Sequence, residues 1–219
     1  MDVIEAIKAR HSVRDFLPKP VGKETVMKIF EAADYSPSGG NGQPWEVFVA
    51  AGETLEKIRS VFLERAKAGS GARPGGPGGP PPMPPQIAAR MTTIRLERMK
   101  LLGLDPNDPA SGKVMMEWGT YLFHTPVLAV ICQDKALSNN LDVGMYIQTV
   151  CLAAQGYGVD SFIASAFVSQ PDLLRKELGI GDDLNIITGI GLGYPNPKSI
   201  INTYRSPRRP VQEVVRYKA

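Results

Sequence analysis

The stretch NLDVGMYIQTVCLAAQGYG, residues 140–158, constrains the fold more than any other part of the chain. Its residues are apolar or small nearly all the way round a 3.6-residue period, so a helix here has little surface to give to water. It reads as a central, buried helix, ended by Gly156 and Gly158. A central helix needs elements to cover it. TPVLAVICQD (125–134) is an apolar run of strand length, buried on both faces. LNIITGIGLGY (184–194) and VDSFIASAF (159–167) read as further strands, and WEVFVAA (45–51) alternates as a strand with one buried face.

Helical spacing marks the rest. Val3, Ile4 and Ile7 predict a short helix ending near Arg10, and Val26, Ile29, Phe30 and Ala33 predict one over 23–35. Further helices are expected at 53–68, 87–104 and 113–123, and at 171–178, where Pro171 suits a first turn. Residues 11–20 read as extended, with Pro18 and Pro20. Helices and strands interleave without an internal repeat, so the class is α/β or α+β.

GSGARPGGPGGPPPMPPQ (69–86) can form neither helix nor central strand, because proline removes donors and glycine favours the unfolded chain. Composition leaves two readings open, a linker between domains or an insertion within one. Other composition excludes more. A formal charge of +3 with no Lys/Arg run argues against nucleic acid. Cys132 and Cys151 sit in apolar surroundings and read as buried, reduced thiols. Nothing resembles a leader or a membrane span, so a cytoplasmic protein is expected. His124, beside Phe123 and Thr125, reads as structural, and the two histidines form no metal-ligand cluster.

Three segments carry groups that could hold a ligand. In ARHSVRDF an extended backbone puts Arg10, Ser12 and Arg14 on one side and His11 and Val13 on the other. Two guanidiniums flanking a hydroxyl suit a phosphate, although a solvated face would read the same way. SPSGGNGQPW (36–45) spends Gly39, Gly40 and Gly42 where a short turn would do, and adds neutral hydrogen-bonding groups at Ser38, Asn41 and Gln43. That pattern serves either close approach to a planar ligand or an elaborate helix-terminating turn. In the last strand Gly189, Gly191 and Gly193 share a face, which marks close approach by a helix, backbone or ligand. Arg205, Arg208 and Arg209 follow. GIGLGY itself is no dinucleotide fingerprint: the third glycine is missing, and Pro195 and Pro197 forbid the helix that should follow.

In this order along the chain, RHSVRDF, SPSGGNGQPW, TPVLAVI, DVGMYIQTVCLAAQGYGVDS, ITGIGLGYP and RSPRRPVQEVV resemble the nitroreductase-like family of FMN-dependent oxidoreductases. Only about 68–120 lacks a clear counterpart. The resemblance implies an α+β, three-layer fold with a mixed central sheet flanked by helices. It implies an intertwined homodimer with shared FMN sites, no nucleic-acid or membrane partner, and no metal. FMN-binding pieces then lie on both sides of 69–86. Residues 1–219 therefore form one domain, with an insertion at about 69–86 and a lid at about 87–118.

By the same resemblance Arg10, His11, Ser12 and Arg14 hold the phosphate and pyrimidine edge of the flavin, and Arg205 and Arg208 complete the phosphate clamp. Pro37, Ser38, Gly39 and Asn41 come from the other subunit, with Trp45 anchoring their loop in the core. Gln148 and Gly191 also fall at the cofactor. Backbone amides near Ser165 and Ala166 face the ring, at a place where many relatives carry Glu-Gly. The implied activity is two-electron, ping-pong hydride transfer from NADH or NADPH to a nitroaromatic, quinone or related electron-poor acceptor, with Arg14 stabilising the reduced flavin. No amino-acid nucleophile is needed. Reductive dehalogenation, enone reduction, flavin breakdown or flavin binding without turnover are the alternatives. Arg90 and Arg95 are candidates for an anionic substrate or plain surface groups.

Overall fold

The computed structural model describes residues 2–68 and 83–218. All but the last four residues of the expected insertion lie outside them. In chain order the elements are α1 (Val3–Ala9), α2 (Lys23–Ala33), β1 (Trp45–Ala51), α3 (Gly52–Lys67), α4 (Pro85–Leu101) and α5 (Pro109–Thr120). There follow β2 (Val127–Asp134), α6 (Leu141–Gly156), β3 (Asp160–Ala164), α7 (Pro171–Leu178), β4 (Leu184–Gly193) and α8 (Val211–Val214). Short 3-10 turns occupy Gly39–Asn41, Leu122–His124, Ser165–Val168 and Ile200–Thr203.

The strands form one sheet in the order β1-β2-β4-β3. Its period-2 alternation builds the layers. On β2, Val127, Ala129 and Ile131 face a core shared with Ile29 and Phe30 of α2 and Val143, Tyr146 and Val150 of α6. Leu128, Val130 and Cys132 face the opposite core, with Leu55, Ile58 and Phe62 of α3, Phe167, and Leu173 and Leu174 of α7. The result is a three-layer α+β fold.

Among the described residues of this single copy the sheet is antiparallel throughout, and the mixed pairing expected of the family does not occur within it. The link from β3 to β4, a 3-10 turn and α7, leaves and re-enters at the same end of the sheet, so β4 runs back along β3. Among the described residues a parallel contact occurs only as the isolated bridge Ser12↔Ser161.

A correction concerns 159–167. The strand stops at Ala164, and Ser165–Val168 curl into a 3-10 turn. That turn swings the Phe167 ring beneath the glycines of β4. A Cβ at Gly189 would stand 2.4 Å from Phe167 Cβ, and one at Gly191 would stand 2.7 Å from Phe167 Cζ. Glycine is required there by space.

The central helix is buried less evenly than its composition predicts. Val143, Tyr146, Ile147, Val150, Cys151 and Ala154 of α6 are buried, and Trp45 stacks on Tyr146 at 4.4 Å. Leu141, Gly144 and Gln148, on another stripe, stay exposed. Both cysteines are free and buried, and burial pushes the Cys132 thiol up to about 11.

Candidate functional site

Residues 10–16 are fixed by backbone partners from three directions. The Val13 amide donates to Ser161 O of β3 (3.1 Å), the Phe16 amide to Phe123 O (3.2 Å) and the Leu17 amide to Tyr194 O (2.8 Å). The Phe123 carbonyl is presented by an unusual turn in which Leu122, Phe123 and His124 all have positive φ. Such backbone is costly outside glycine, and Arg59 brackets it by donating from Nε to Tyr121 O (3.2 Å) and from Nη2 to Thr125 O (2.7 Å). His124 Nδ1 then reaches Asp15 Oδ1 at 3.1 Å, which gives that histidine a positioning job.

Asn202 joins this segment to the C-terminal arm. Its Oδ1 accepts from the Arg14 amide (2.8 Å). Its Nδ2 donates to Asp15 O (2.7 Å) and to Asn196 O (3.2 Å). Arg205 closes the corner by donating from Nη1 to Asn202 O (2.8 Å). Neither Asn202 nor Asp15 stood out in the sequence. The signal that could have found Asn202 is a lone amide after the apolar pair Ile200-Ile201, just ahead of Tyr204-Arg205.

These links bring Arg10, His11, Ser12, Arg14, Arg205 and Arg208 into one cleft of about 550 Å³, with Tyr204 and Ser206 on its wall. Strict alternation put His11 on the far side, but the segment pairs only through isolated bridges, so its side chains need not obey a strand period. Val13 does turn away, into the core.

Among the described residues, no acidic group lies within salt-bridge distance of Arg10, Arg14, Arg205 or Arg208. Arg14 is the most enclosed. Its guanidinium lies over the Phe162 ring, 5.1 Å from the centroid. Its Nη1 donates to Ser12 O (3.1 Å), while its Nε is buried without an acceptor. Burial first, and then the charge of Arg98, pull this guanidinium down to about 10.

Four unpaired guanidiniums with a hydroxyl between them and a buried donor lacking its acceptor form a site for an anion with several oxygens. FMN, the group the sequence resemblance implies, fits that donor set through its phosphate.

The other expected contacts are placed elsewhere. Pro37 and Gln148 line a second opening of about 600 Å³ with Asn140, Leu141, Gly144, Met145 and Thr149. It shares no residue with the arginine cleft. The loop behind it is well defined. The Gly39 amide donates to Asp142 Oδ2 (3.0 Å), the Gln43 amide donates to Ser38 Oγ (3.0 Å), and Gly40 and Asn41 are both left-handed at φ 58°. Ser165 is exposed and Ala166 half-buried, and both stand in the first turn of a 3-10 helix, where amides lack intrahelical acceptors. Gly191 is enclosed on its Cβ side. Phe167 and Thr125 fill the space where its side chain would project, so this face of β4 accepts core side chains.

Comparison with known proteins agrees with this fold. The model described as Nitroreductase family matches residues 7–75. Over 193 residues the chain is 32% identical to the nitrobenzene nitroreductase of Ectopseudomonas oleovorans, covering 87% of this chain and 85% of that one. It is 28% identical to the chloronitrobenzene nitroreductase of Comamonas testosteroni, covering 95% and 93%. The crystal structure of the FMN- and NADPH-dependent nitroreductase NfnB from Sphigopyxis sp. strain HMH superposes with a TM-score of 0.92, at 26% identity and full coverage of both chains. The chain belongs to the nitroreductase family.

Proposed function

We propose that this chain is an NAD(P)H-dependent FMN oxidoreductase that reduces nitroaromatics and related electron-poor acceptors. The observation that carries the proposal is the cleft of unpaired guanidiniums closed by the C-terminal arm, with Arg14 Nε buried and short of an acceptor. FMN, when bound, would supply the redox chemistry, taking a hydride from NADH or NADPH and passing two electrons to the acceptor. What the chain supplies is binding and electrostatics. Arg10, Ser12, Arg205 and Arg208 hold the phosphate, with His11 on the same wall. Arg14 would stand at the pyrimidine edge and would favour negative charge there. Ser165 and Ala166 offer backbone amides to the ring.

The site is completed by a second copy of the chain. Pro37 and Gln148 line an opening that shares no residue with the arginine cleft. Ser38, Gly39 and Asn41 stand on the loop that Asp142 ties to the helix of Gln148, which supports a site to which another copy contributes this set. The exposed stripe of α6 supports the same reading, as do Val3, Ile4 and Ile7 of α1 and Val211, Val214 and Val215 of the arm, all of them exposed. Apolar surface of this kind marks an interface. The arginine cleft draws on residues 10–14 and 204–208, on either side of 69–86, which supports one domain over 1–219. Helices α4 and α5 stand as the lid: Tyr204 on the cleft wall donates to Glu97 of α4 at 2.6 Å. Among the described residues no helix is long and apolar enough to cross a membrane, and a cytoplasmic site of action is proposed.

The test is direct. The purified protein should be yellow, should bleach with NADPH under nitrogen, and should regain its colour on adding nitrobenzene. Colour that persists with both nicotinamides would mean a flavin-binding protein without turnover.

A further inference from the structure

We propose that Arg98 of α4 is a second cation for the flavin ring, acting beside Arg14, so that the lid helix helps to set the redox potential. The inference rests on the FMN reading above. The two arginines come from segments far apart in sequence, and Tyr204 ties helix α4 to the wall of the cleft that holds Arg14. Tyr204 lines the cleft with Arg14 and donates to Glu97, the neighbour of Arg98, at 2.6 Å. Helix α4 also packs on the Ile200–Thr203 turn, which carries the amide that holds the Arg14 backbone.

Arg98 is half-buried, and its Nε donates to Ile94 O (3.3 Å) within its own helix. Among the described residues neither Arg98 nor Arg14 has an acidic partner. Glu97, the nearest acid in sequence, is engaged by Tyr204. Burial lowers the pKa of Arg98, and the charge of Arg98 contributes to lowering that of Arg14.

Two partly desolvated like charges repel, and an anion placed near both relieves the cost. The phosphate does not need them, because Arg10, Arg205 and Arg208 already offset its charge of about −1.5 to −2. The oxidised ring is neutral and relieves little. The charge that arrives with the hydride is what the pair would offset, so Arg98 should favour reduced over oxidised FMN while contributing little to binding of the oxidised form. It acts as a positioning and electrostatic residue, through Arg14 and through space, and the structure gives it no contact with the reacting atoms.

The experiment is a redox titration of FMN-loaded Arg98→Met against reference dyes, beside wild type, Arg98→Lys and Arg95→Met. Arg95 lies on the same helix with Nη1 near Met99 Sδ and controls for loss of any charge from α4. The expected result is oxidised-FMN affinity within about twofold of wild type. Preference for the reduced form should fall about tenfold, a drop of about 30 mV for a two-electron couple. Arg98→Lys should keep most of the wild-type potential and Arg95→Met all of it. An unchanged preference in Arg98→Met overturns the proposal. An equal loss of affinity for both redox forms also overturns it, moving Arg98 to the phosphate. So does a change confined to the KM of a carboxylated acceptor such as 4-nitrobenzoate, which would make Arg98 a substrate contact. A wild-type chain that retains no FMN defeats the functional reading first, and the opening absorbance spectrum separates that failure from the others.

Discussion

Gly191→Ala separates two meanings of the glycine face on β4. If the face is packed, the new methyl meets Phe167 Cζ at 2.7 Å, Thr125 Oγ1 at 3.0 Å and Thr125 Cβ at 3.2 Å. None of these gives way easily. Phe167 is fully buried and sits edge-on to Phe123 and Phe162, with centroids at 5.5 and 6.0 Å. Thr125 Oγ1 is held by donation to Val127 O at 2.8 Å. Overpacking of this kind costs about 1–3 kcal/mol, and two immobile neighbours argue for the upper half. The lower chain entropy of alanine in the unfolded state returns about 0.4–1 kcal/mol. The net expectation is about 1–2.6 kcal/mol, or roughly 2–10 °C in Tm for a chain of this size. Urea titrations with and without excess FMN should show that loss equally. Phe167→Leu removes the ring atom that the methyl meets, so the double variant should lose less than the two single losses added together. Wild-type stability in Gly191→Ala, combined with a tenfold weaker hold on FMN, would refute the packing argument and return Gly191 to the cofactor.

Three other outcomes are open to measurement. Arg10→Ala and Arg208→Ala should each keep the fold but weaken FMN binding roughly ten- to a hundredfold, the worth of one charge-assisted contact at about 1.5–3 kcal/mol, and unchanged FMN retention through gel filtration in both would sink the phosphate clamp. Light scattering should find the flavin-loaded protein as a dimer; a fully loaded monomer would show that one copy suffices. Asn202→Ala strips the acceptor from the Arg14 amide and the donor from two carbonyls in a buried corner, so it should cost about 1–3 kcal/mol in urea unfolding and weaken FMN binding as the arm loosens, whereas a surface-like effect below 0.5 kcal/mol would mean the arm is held elsewhere.

What the sequence disclosed, and what it hid, follows from how far each signal reaches along the chain. Periodicity is local, so β1 at Trp45–Ala51 and α7 at Pro171–Leu178 stand where spacing and Pro171 put them. The arginines of ARHSVRDF and RSPRRP are visible in the sequence, but a solvated face would read the same way, and only the family resemblance joins them to a phosphate. The pieces that bring them together are not legible. Asn202 binds segments nearly two hundred positions apart, and the left-handed run Leu122–His124 is stabilised by Arg59 from another helix, so neither has a neighbour in sequence that announces it. Strict alternation misplaced His11, since isolated bridges do not impose a strand's period. The glycines of β4 left their partner open for a related reason. An absent Cβ says that something approaches closely, and only the fold says that Phe167 is what approaches. The apolar circumference of α6 was also read too simply. A helix without a polar face need not be covered by its own chain, and the exposed Leu141, Gly144 and Gln148 stripe fits the proposed dimer, in which a second copy would cover it. On that argument the excess hydrophobicity of 140–158 encodes assembly as much as folding, and mutating Leu141 to Glu should break the dimer before it unfolds the subunit.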